Sequence, residues 1–453
     1  MTQDATPAAA LPNAPTATST PPPVATSDTK LSRRGRKAIL AGGIGNVVEW
    51  IDWSVYTTFS SVFSHHFFPS GDDAAALLAT LAVFAVGFVM RPVGAAVLGA
   101  FADRHGRKKG LMLTIGLMAA ASLVIGVTPS YSVIGIGAPI VLLLARLVQG
   151  FSAGGEFGSS SAFLVESAAP RRRAFAGSWQ QVSVGAGVLV ASGIGAIITS
   201  TFSASALGAW GWRAAFVFCA AIGLVGIWLR TSVEETDSFT TQRRDDEVGD
   251  VRRRNPIVAM FRDHPGATAR VFGVTIAGTL LYYMWVSYMP TYAAVTTGLP
   301  LNEALLANVI AMVVFLVLLP FAGLLSDKIG RKPTMSIFAG GFLVFAWPAF
   351  TMLNGSFWML VLVEVIGIVL LLGYSANCAV IMAEQFPPEV RATGIGLPYA
   401  LAVAIFGGTA PYITTWMSGA GLGHVVWVYC AIAAAIGLVV YLTMPETKGK
   451  VLK

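Results

Sequence analysis

Charge is what this sequence has least of. Asp, Glu, Lys and Arg make up 12% of its 453 residues, whereas 55% of the residues are hydrophobic. A water-soluble domain typically carries about 25% charged residues. The shortage of charge therefore excludes an ordinary soluble domain and predicts a chain that crosses a membrane many times.

Cysteine and histidine are also scarce. Cys219, Cys378 and Cys430 fall inside apolar segments, without the spacing of metal ligands or disulfide frameworks. The sequence shows no Ser/His/Asp set, metal-binding motif or phosphate-binding loop, so we expect neither an enzyme nor a bound metal or cofactor. Residues 1–37 lack the apolar core of a secretory signal and are expected to form a disordered cytoplasmic tail.

Twelve segments are apolar over the roughly 20 residues that a helix needs to cross the hydrocarbon core. They lie at about 38–63, 74–101, 110–129, 139–167, 174–202, 211–230, 269–295, 303–326, 333–353, 356–384, 392–419 and 424–443. We predict an all-α membrane protein with an N-terminal half at 38–230, a cytoplasmic linker at 231–268, a C-terminal half at 269–445 and a cytoplasmic tail at 446–453.

Lys and Arg are distributed unevenly between the two sides of the predicted membrane. Apart from Arg91, Arg146 and Arg213, they concentrate in the loops and tails of one side. Positive loops face the cytoplasm, so both termini are predicted to be cytoplasmic, as in the bacterial inner membrane. The sequence pI of about 9.4 thus reflects topology and does not indicate nucleic-acid binding.

One charged motif occurs twice, once in each half. The first copy is Gly99-Ala-Phe-Ala-Asp-Arg-His-Gly-Arg-Lys-Lys109, and the second is Gly323-Leu-Leu-Ser-Asp-Lys-Ile-Gly-Arg-Lys332. A second repeat, around Glu166 and Glu384, has nearly the same spacing. The repeats predict two pseudo-symmetric halves of six helices each.

Several motifs together resemble the major facilitator superfamily, and within it the bacterial metabolite:proton symporters. Besides the two loops they are Asn46-Val-Val-Glu-Trp-Ile-Asp52, Arg91-Pro-Val-Gly94, Arg146-Leu-Val-Gln-Gly150, Trp210-Gly-Trp-Arg213, Phe386-Pro-Pro-Glu-Val-Arg391 and Phe406-Gly-Gly408. The resemblance is strongest to the alpha-ketoglutarate permease branch. It implies a proton-driven importer of a small organic acid, most readily a di- or tricarboxylate, working as a monomer in lipid. A proline/betaine-type or shikimate-type symporter, a drug exporter and a non-transporting sensor are the alternatives.

The resemblance also implies that the repeated loops act as a latch between the halves. The gating candidates are Gly99, Asp103, Arg104, Gly106, Arg107, Asp327, Gly330 and Arg331. The alternative is that these loops are only positive orientation signals. That alternative accounts for the Lys and Arg residues but not for Asp103 or the glycines, so we favour the latch.

Ionisable side chains inside a membrane helix cost at least about 2.5 kcal/mol, so each one requires an explanation. Glu49 and Asp52 share a face of the first helix with Asn46 and Tyr56. Two neighbouring carboxylates in a low-dielectric cavity favour proton binding by one of them, and we favour Asp52. The alternative is that both carboxylates bond helix ends and nearby backbone.

Arg91 can hold a substrate carboxylate through two hydrogen bonds, or it can form a structural ion pair with Glu49 or Asp52. The resemblance links Arg146 to proton coupling, although a buried arginine satisfied by its neighbours explains it equally well. Glu156, on the same helix, is a further coupling candidate. Glu364 occupies the place of Arg146 in the repeat, so the two side chains could face each other across the halves.

Uncharged polar and aromatic residues complete the set of candidate substrate ligands. Gln180 and Gln181 are polar at a depth where an amide requires a partner. Tyr283 and Tyr374 are candidates for the cavity wall, with ordinary core packing as the alternative.

Overall fold

The computed structural model describes residues 33–68, 71–105, 107–154, 156–166, 168–231 and 256–450. Within these ranges the chain is helical and has no β-strand. Ten helical spans there are long and apolar enough to cross a membrane, and Gly137–Ala153 is a shorter apolar helix. The prediction of an all-α, multi-pass membrane protein is therefore confirmed.

The described helices follow the order of the twelve predicted segments, and we number them α1 to α12. The N-terminal six are α1 (Arg33–Phe67), α2 (Asp73–Val89 and Arg91–His105), α3 (Arg107–Val127), α4 (Gly137–Ala153 and Glu156–Glu166), α5 (Arg173–Thr201) and α6 (Trp212–Thr231). The C-terminal six are α7 (Pro265–Tyr282, Tyr283–Tyr288 and Met289–Thr297), α8 (Leu301–Ile329), α9 (Arg331–Thr351), α10 (Phe357–Ser375 and Cys378–Ala383), α11 (Pro388–Ala402, Val403–Gly407 and Ala410–Gly419) and α12 (Val426–Thr443).

The predicted linker overlaps the described residues only at its end. Residues 232–255 lie outside the described residues, as do 1–32 of the N-terminal tail and 451–453 of the C-terminal tail. Residues Pro256–Asp263 form a short helix against α11, with Met260 buried. The apolar side of this helix keeps it on the bundle, and α7 begins directly after it at Pro265, earlier than the predicted segment.

A π-helical stretch, Leu207–Gly211, leads directly into α6, and two helices of the C-terminal half contain one, Tyr283–Tyr288 in α7 and Val403–Gly407 in α11. A π-turn inserts one extra residue and re-aims the side chains around it, which is why such turns are frequent at functional sites. The stretches of α7 and α11 meet, because a Cβ added at Gly407 would lie 2.7 Å from the ring of Tyr283. Both irregular stretches therefore shape the centre of the bundle.

Helices α2 and α4 cross with their backbones in direct contact. A Cβ added at Gly150 would lie 1.7 Å from the carbonyl oxygen of Gly87, and one at Gly154 would lie 1.9 Å from that of Arg91. Small residues allow membrane helices to pack this closely. The crossing fixes the height and direction of Arg91, which begins the second segment of α2 after the chain is interrupted at Met90, just before Pro92.

The two halves touch mainly along α5 and α8, and also where α2 meets α11. For brevity we call the end of the bundle that carries the α8–α9 loop the loop end, and the opposite end the far end. Helix α1 packs against α5 and α2 and also reaches α7 of the other half. The residues of α1 thus lie where both halves meet.

Candidate functional site

A small cavity lies between the two halves at the level of the π-helical stretches of α7 and α11. In this conformation it has a volume of about 10 Å³, which is room for only about one water molecule. Its lining residues are Trp50, Gln181, Thr279, Tyr282, Tyr283, Tyr374 and Tyr399. Of the predicted substrate ligands, Gln181, Tyr283 and Tyr374 line this cavity.

The walls of the cavity are aromatic and carry spare hydrogen-bonding groups. The Trp50 ring lies 5.7 Å from the rings of both Tyr282 and Tyr283, centroid to centroid. The Gln181 side-chain nitrogen donates to Cys378 Sγ at 3.2 Å. Among the described residues, nothing hydrogen-bonds to the Gln181 carbonyl oxygen or the Tyr282 hydroxyl. Buried polar groups without partners suit a site that a polar ligand completes.

Arg91 lies next to this cavity, paired with Glu49. Its Nη2 is 3.5 Å from Glu49 Oε1, and both side chains are buried. The guanidinium lies between two aromatic rings, 4.5 Å from the centroids of Trp53 and Phe88. Phe88 in turn contacts Tyr283 of the cavity wall, at 5.3 Å between ring centroids. The structure therefore shows the predicted alternative for Arg91, an ion pair with Glu49, at the edge of the cavity.

Asp52 pairs with Arg146 deeper in the N-terminal half. Asp52 Oδ2 lies 4.0 Å from Arg146 Nη1, and Asp52 Oδ1 accepts a hydrogen bond from Ser122. Arg146 also donates to Gln149 Oε1 at 2.7 Å, and Gln149 donates to Ser122 Oγ at 3.0 Å. These contacts form a closed ring of four side chains, all of them buried. We call it the Asp52–Arg146 ring.

Trp53 connects the two ion pairs. The Arg146 guanidinium lies 4.1 Å from the Trp53 ring, on which Arg91 also packs. Cation–π contacts of this kind stabilise desolvated guanidinium groups by roughly 2 kcal/mol. Sequence reasoning missed Trp53, Ser122 and Gln149 as site residues. Gln149 had a signal, since it lies one helical turn after Arg146.

The predicted contact between Arg146 and Glu364 is wrong. Arg146 faces Asp52 inside its own half, and Glu364, buried in α10, forms no ion pair with any described residue. Repeat spacing places the two residues at equivalent heights, but it does not set the direction in which each helix turns its side chain.

Three other predicted ligands lie away from the cavity lining. Asn46 donates to Ser183 Oγ at 2.7 Å and joins α1 to α5. Tyr56 donates to the Thr80 carbonyl at 2.9 Å, and its ring lies 4.2 Å from the Arg146 guanidinium. Gln180 is buried beside Gln181, but it is not part of the lining. Asn46 and Tyr56 thus position the site helices in this conformation. The side chain of Glu156 lies outside the described residues.

At the loop end, the second charged motif joins the halves. The Asp327 carboxylate accepts hydrogen bonds from the backbone N–H groups of Ala174 and Phe175 at 3.0 Å each. These groups belong to the first turn of α5, where the helix dipole favours an anion. Arg331 holds Asp327 at 2.9 Å and Glu384 at 3.3 Å. The predicted gating residues Asp327 and Arg331 are thus brought together within the C-terminal half, and Asp327 joins that half to α5 of the other.

Two more contacts lie at the same end. Arg391 of α11 lies 2.5 Å from Glu166 of α4, so the second repeat also joins the halves. Gly330 has a φ of +112°, and the carboxylate of Glu446 in the C-terminal tail accepts the N–H of Arg331 beside it at 3.0 Å. From the first copy of the motif, Gly99 lies in the second segment of α2, whereas Gly106 and the side chains of Asp103, Arg104 and Arg107 lie outside the described residues.

The halves also touch at the far end. Thr291 of α7 donates to the Thr57 carbonyl of α1 at 3.2 Å, and Ser192 of α5 donates to Asn308 Oδ1 of α8 at 2.7 Å. The described residues therefore present an occluded arrangement, in which the cavity is covered from both ends. A closed central cavity between two six-helix halves is typical of a carrier that opens to each side in turn.

Comparison with known proteins also indicates a carrier. Residues 44–254 and 259–453 match the family described as "Sugar (and other) transporter". The chain belongs to this family. It is thus a member of the major facilitator superfamily, and its fold is shared with the proton:xylose symporter XylE bound to 6-bromo-6-deoxy-D-glucose. That structure has a TM-score of 0.70 at 20% identity, over 93% of this chain and 98% of the other.

Among curated relatives, the alpha-ketoglutarate permease of Escherichia coli (strain K12) is 38% identical over 94% of this chain and 98% of its own length. The citrate-proton symporter of Klebsiella pneumoniae is 36% identical, covering 83% and 84% respectively. A glycine betaine/proline/ectoine/pipecolic acid transporter of Dickeya dadantii (strain 3937) is 34% identical, covering 95% and 88%. The relatives are transporters, and the predicted resemblance to this group is confirmed.

Proposed function

We propose that the protein imports a small organic acid together with a proton, with a di- or tricarboxylate such as alpha-ketoglutarate as the substrate. It works as a monomer in the bacterial cytoplasmic membrane, with both termini and the loop end in the cytoplasm. The proton gradient drives it, without a cofactor. The relatives that carry alpha-ketoglutarate and citrate support the carboxylate class.

The observation that carries this proposal is the Arg91–Glu49 pair at the edge of the cavity. At 3.5 Å the pair is long for a charge-assisted hydrogen bond, which is normally about 2.7–2.9 Å. Arg91 Nε has no hydrogen-bond partner among the described residues. A substrate carboxylate can therefore take over the guanidinium and use donors that the protein leaves free.

The same pair supplies the coupling. If Arg91 turns to a substrate carboxylate while Glu49 stays ionised, the buried Glu49 carboxylate loses its charge pair with Arg91, which costs several kcal/mol. A proton on Glu49 removes that cost. Proton and organic anion consequently bind together, which is the requirement for symport. We therefore propose that the exchangeable proton binds to Glu49, whereas the sequence alone favours Asp52.

Asp52 then has a supporting role beside the Arg91–Glu49 pair. The Asp52–Arg146 ring holds α1, α3 and α4 together and shares Trp53 with Arg91. Displacement of Arg91 changes the field at Trp53 and at Arg146, so Asp52 is the group that senses substrate binding from inside the N-terminal half. The gating residues Asp327 and Arg331 form the latch that breaks when the loop end opens.

A second candidate function is favoured by the aromatic lining. Trp50 and four tyrosines surround the cavity, and aromatic faces bind quaternary ammonium groups through cation–π contacts. The betaine-transporting relative fits that chemistry. Uptake that follows osmolality would favour the betaine-type function, and uptake that follows carbon source would favour the acid.

The test is uptake of labelled alpha-ketoglutarate, citrate, shikimate, proline and glycine betaine into proteoliposomes, with and without an acid-outside pH gradient. We expect gradient-dependent accumulation of a di- or tricarboxylate. Arg91→Ala should lower that uptake at least about 30-fold, since truncating one partner of a buried charge pair costs about 2 kcal/mol or more. Arg262→Ala, with the same charge change on the exposed short helix, is the control.

Glu49→Gln tests the coupling separately. This variant should still exchange internal for external substrate, because Arg91 remains free to bind it, yet it should not accumulate substrate in a pH gradient. Unchanged carboxylate uptake in Arg91→Ala would show that the substrate binds elsewhere. Accumulation by Glu49→Gln at the wild-type level would remove Glu49 from the coupling mechanism.

A further inference from the structure

Glu364 is a buried carboxyl that the mechanism above does not use. It lies in α10 with no exposed surface, among buried apolar neighbours of its own helix that include Leu360, Val363 and Ile368. Neither carboxyl oxygen has a hydrogen-bond partner among the described residues, and no described cation lies within ion-pair distance. An ionised carboxylate in such surroundings would cost many kcal/mol, so the group is neutral in this conformation.

The side chain of Asn308 in α8 approaches the Glu364 carboxyl without forming a hydrogen bond of normal geometry. Asn308 has other partners in the occluded arrangement: its Oδ1 accepts from Ser192 of α5, and its Nδ2 donates to the Val286 carbonyl at 3.5 Å. Ser192 belongs to the N-terminal half and Asn308 to the C-terminal half. Glu364 is therefore one side chain removed from the seam along which the halves separate.

The contact between Ser192 and Asn308, where the halves meet, lies near the far end of the bundle. Glu364 is seven residues after the start of α10 at Phe357, and Asn308 is seven residues after the start of α8 at Leu301, about 10 Å along each helix. Both helices start at the far end. When the halves part there, Ser192 leaves Asn308, and water can reach the Asn308 side chain and the carboxyl behind it.

No other described titratable side chain near this part of α10 is paired with Glu364. The titratable side chains on the helices packed against this part of α10 are Glu303, Asp327 and Lys328 of α8, Arg331 and Lys332 of α9, and Arg270, Tyr282, Tyr283, Tyr288 and Tyr292 of α7. None of them forms an ion pair or a hydrogen bond with Glu364. Glu303 is at the start of α8, and Asp327 is 19 residues beyond Asn308, about 28 Å along the helix.

We infer that Glu364 is a second proton-binding site, loaded from the far end, which must be protonated before the halves can close over the cavity on that side. The inference rests on the proposed function for the direction of loading, with the far end outside the cell. The proton returns to the same side when the far end reopens. It therefore sets the external pH at which the carrier closes and is not itself transported.

The test compares wild type with Glu364→Gln, which mimics the neutral acid. We measure initial uptake rates over a range of external pH at fixed internal pH and membrane potential. The ratio of Glu364→Gln to wild-type rate should rise with external pH, by up to tenfold per pH unit where Glu364 ionises. The accumulation ratio at static head should be unchanged. Glu303→Gln, at the far end of α8, is the control and should give a constant ratio.

A rate ratio that does not vary with pH overturns the inference. A lower static-head accumulation in Glu364→Gln also overturns it, because the second proton would then be transported. If neither protein transports any substrate, the proposed function fails, and the inference is still tested by thermal stability in detergent without substrate. There the wild-type Tm should fall relative to that of Glu364→Gln as pH rises, and parallel pH profiles would contradict a neutral Glu364.

Discussion

The α2–α4 crossing allows a prediction in which two opposite effects compete. In the interior of a helix, Gly→Ala normally stabilises a protein by about 0.4–1 kcal/mol, because alanine restricts the unfolded chain. At Gly150, however, the new Cβ would lie 1.7 Å from the Gly87 carbonyl oxygen, a distance no packed carbon reaches. Since the nearest atom belongs to the backbone, no side chain can turn away.

The magnitude follows from that distance. The two helix backbones must separate by about 1 Å, and overpacking of this kind costs roughly 1–3 kcal/mol or more. We therefore expect Gly150→Ala to destabilise the protein by about 2 kcal/mol, reversing the sign of the usual effect. The displaced α2 would also carry Arg91 away from the cavity, so uptake should fall together with stability.

Gly340 provides the matched control. It lies inside α9, and a Cβ added there would meet nothing within 4 Å. Gly340→Ala should leave Tm unchanged or slightly raised and should transport normally. The assay is the Tm of purified protein in detergent, followed by uptake in proteoliposomes. If Gly150→Ala were as stable and active as Gly340→Ala, the backbone contact between α2 and α4 would be refuted.

Two further predictions concern the ion pairs. Asp52→Asn leaves Arg146 as a buried guanidinium without its anion, so the free energy of unfolding should fall by about 3 kcal/mol in a denaturation assay. Ser122→Ala should lower it by only about 1 kcal/mol. Equal losses would argue against the Asp52–Arg146 ring. Asp327→Asn can accept fewer of the α5 N–H groups, so the loop end should open more often. Maleimide labelling of buried Cys378, in a Cys219→Ala/Cys430→Ala background, should then rise about tenfold. Asp263→Asn, an exposed control, should not change the labelling, and an unaltered rate in Asp327→Asn would exclude it from the latch.

Much of the fold was predictable because a membrane imposes simple rules on a chain. Apolar length predicted the twelve helices, and the repeated motif predicted two halves. The same reasoning drew attention to Glu49, Asp52, Arg91 and Arg146, because a charge inside a bilayer is costly enough to be noticed in any sequence. It could not predict the π-helical stretches of α7 and α11, since neither has a distinctive sequence pattern.

The sequence by itself determined which residues carry charge at membrane depth and which stretches cross the membrane, since both follow from local composition. Only the tertiary structure decided the pairing: Arg91 with Glu49, Arg146 with Asp52, and Glu364 with no ion-pair partner among the described residues. The physical reason is that partner choice depends on helix rotation and on how closely two backbones approach. At Gly87 and Gly150 that approach is set by the absence of two side chains.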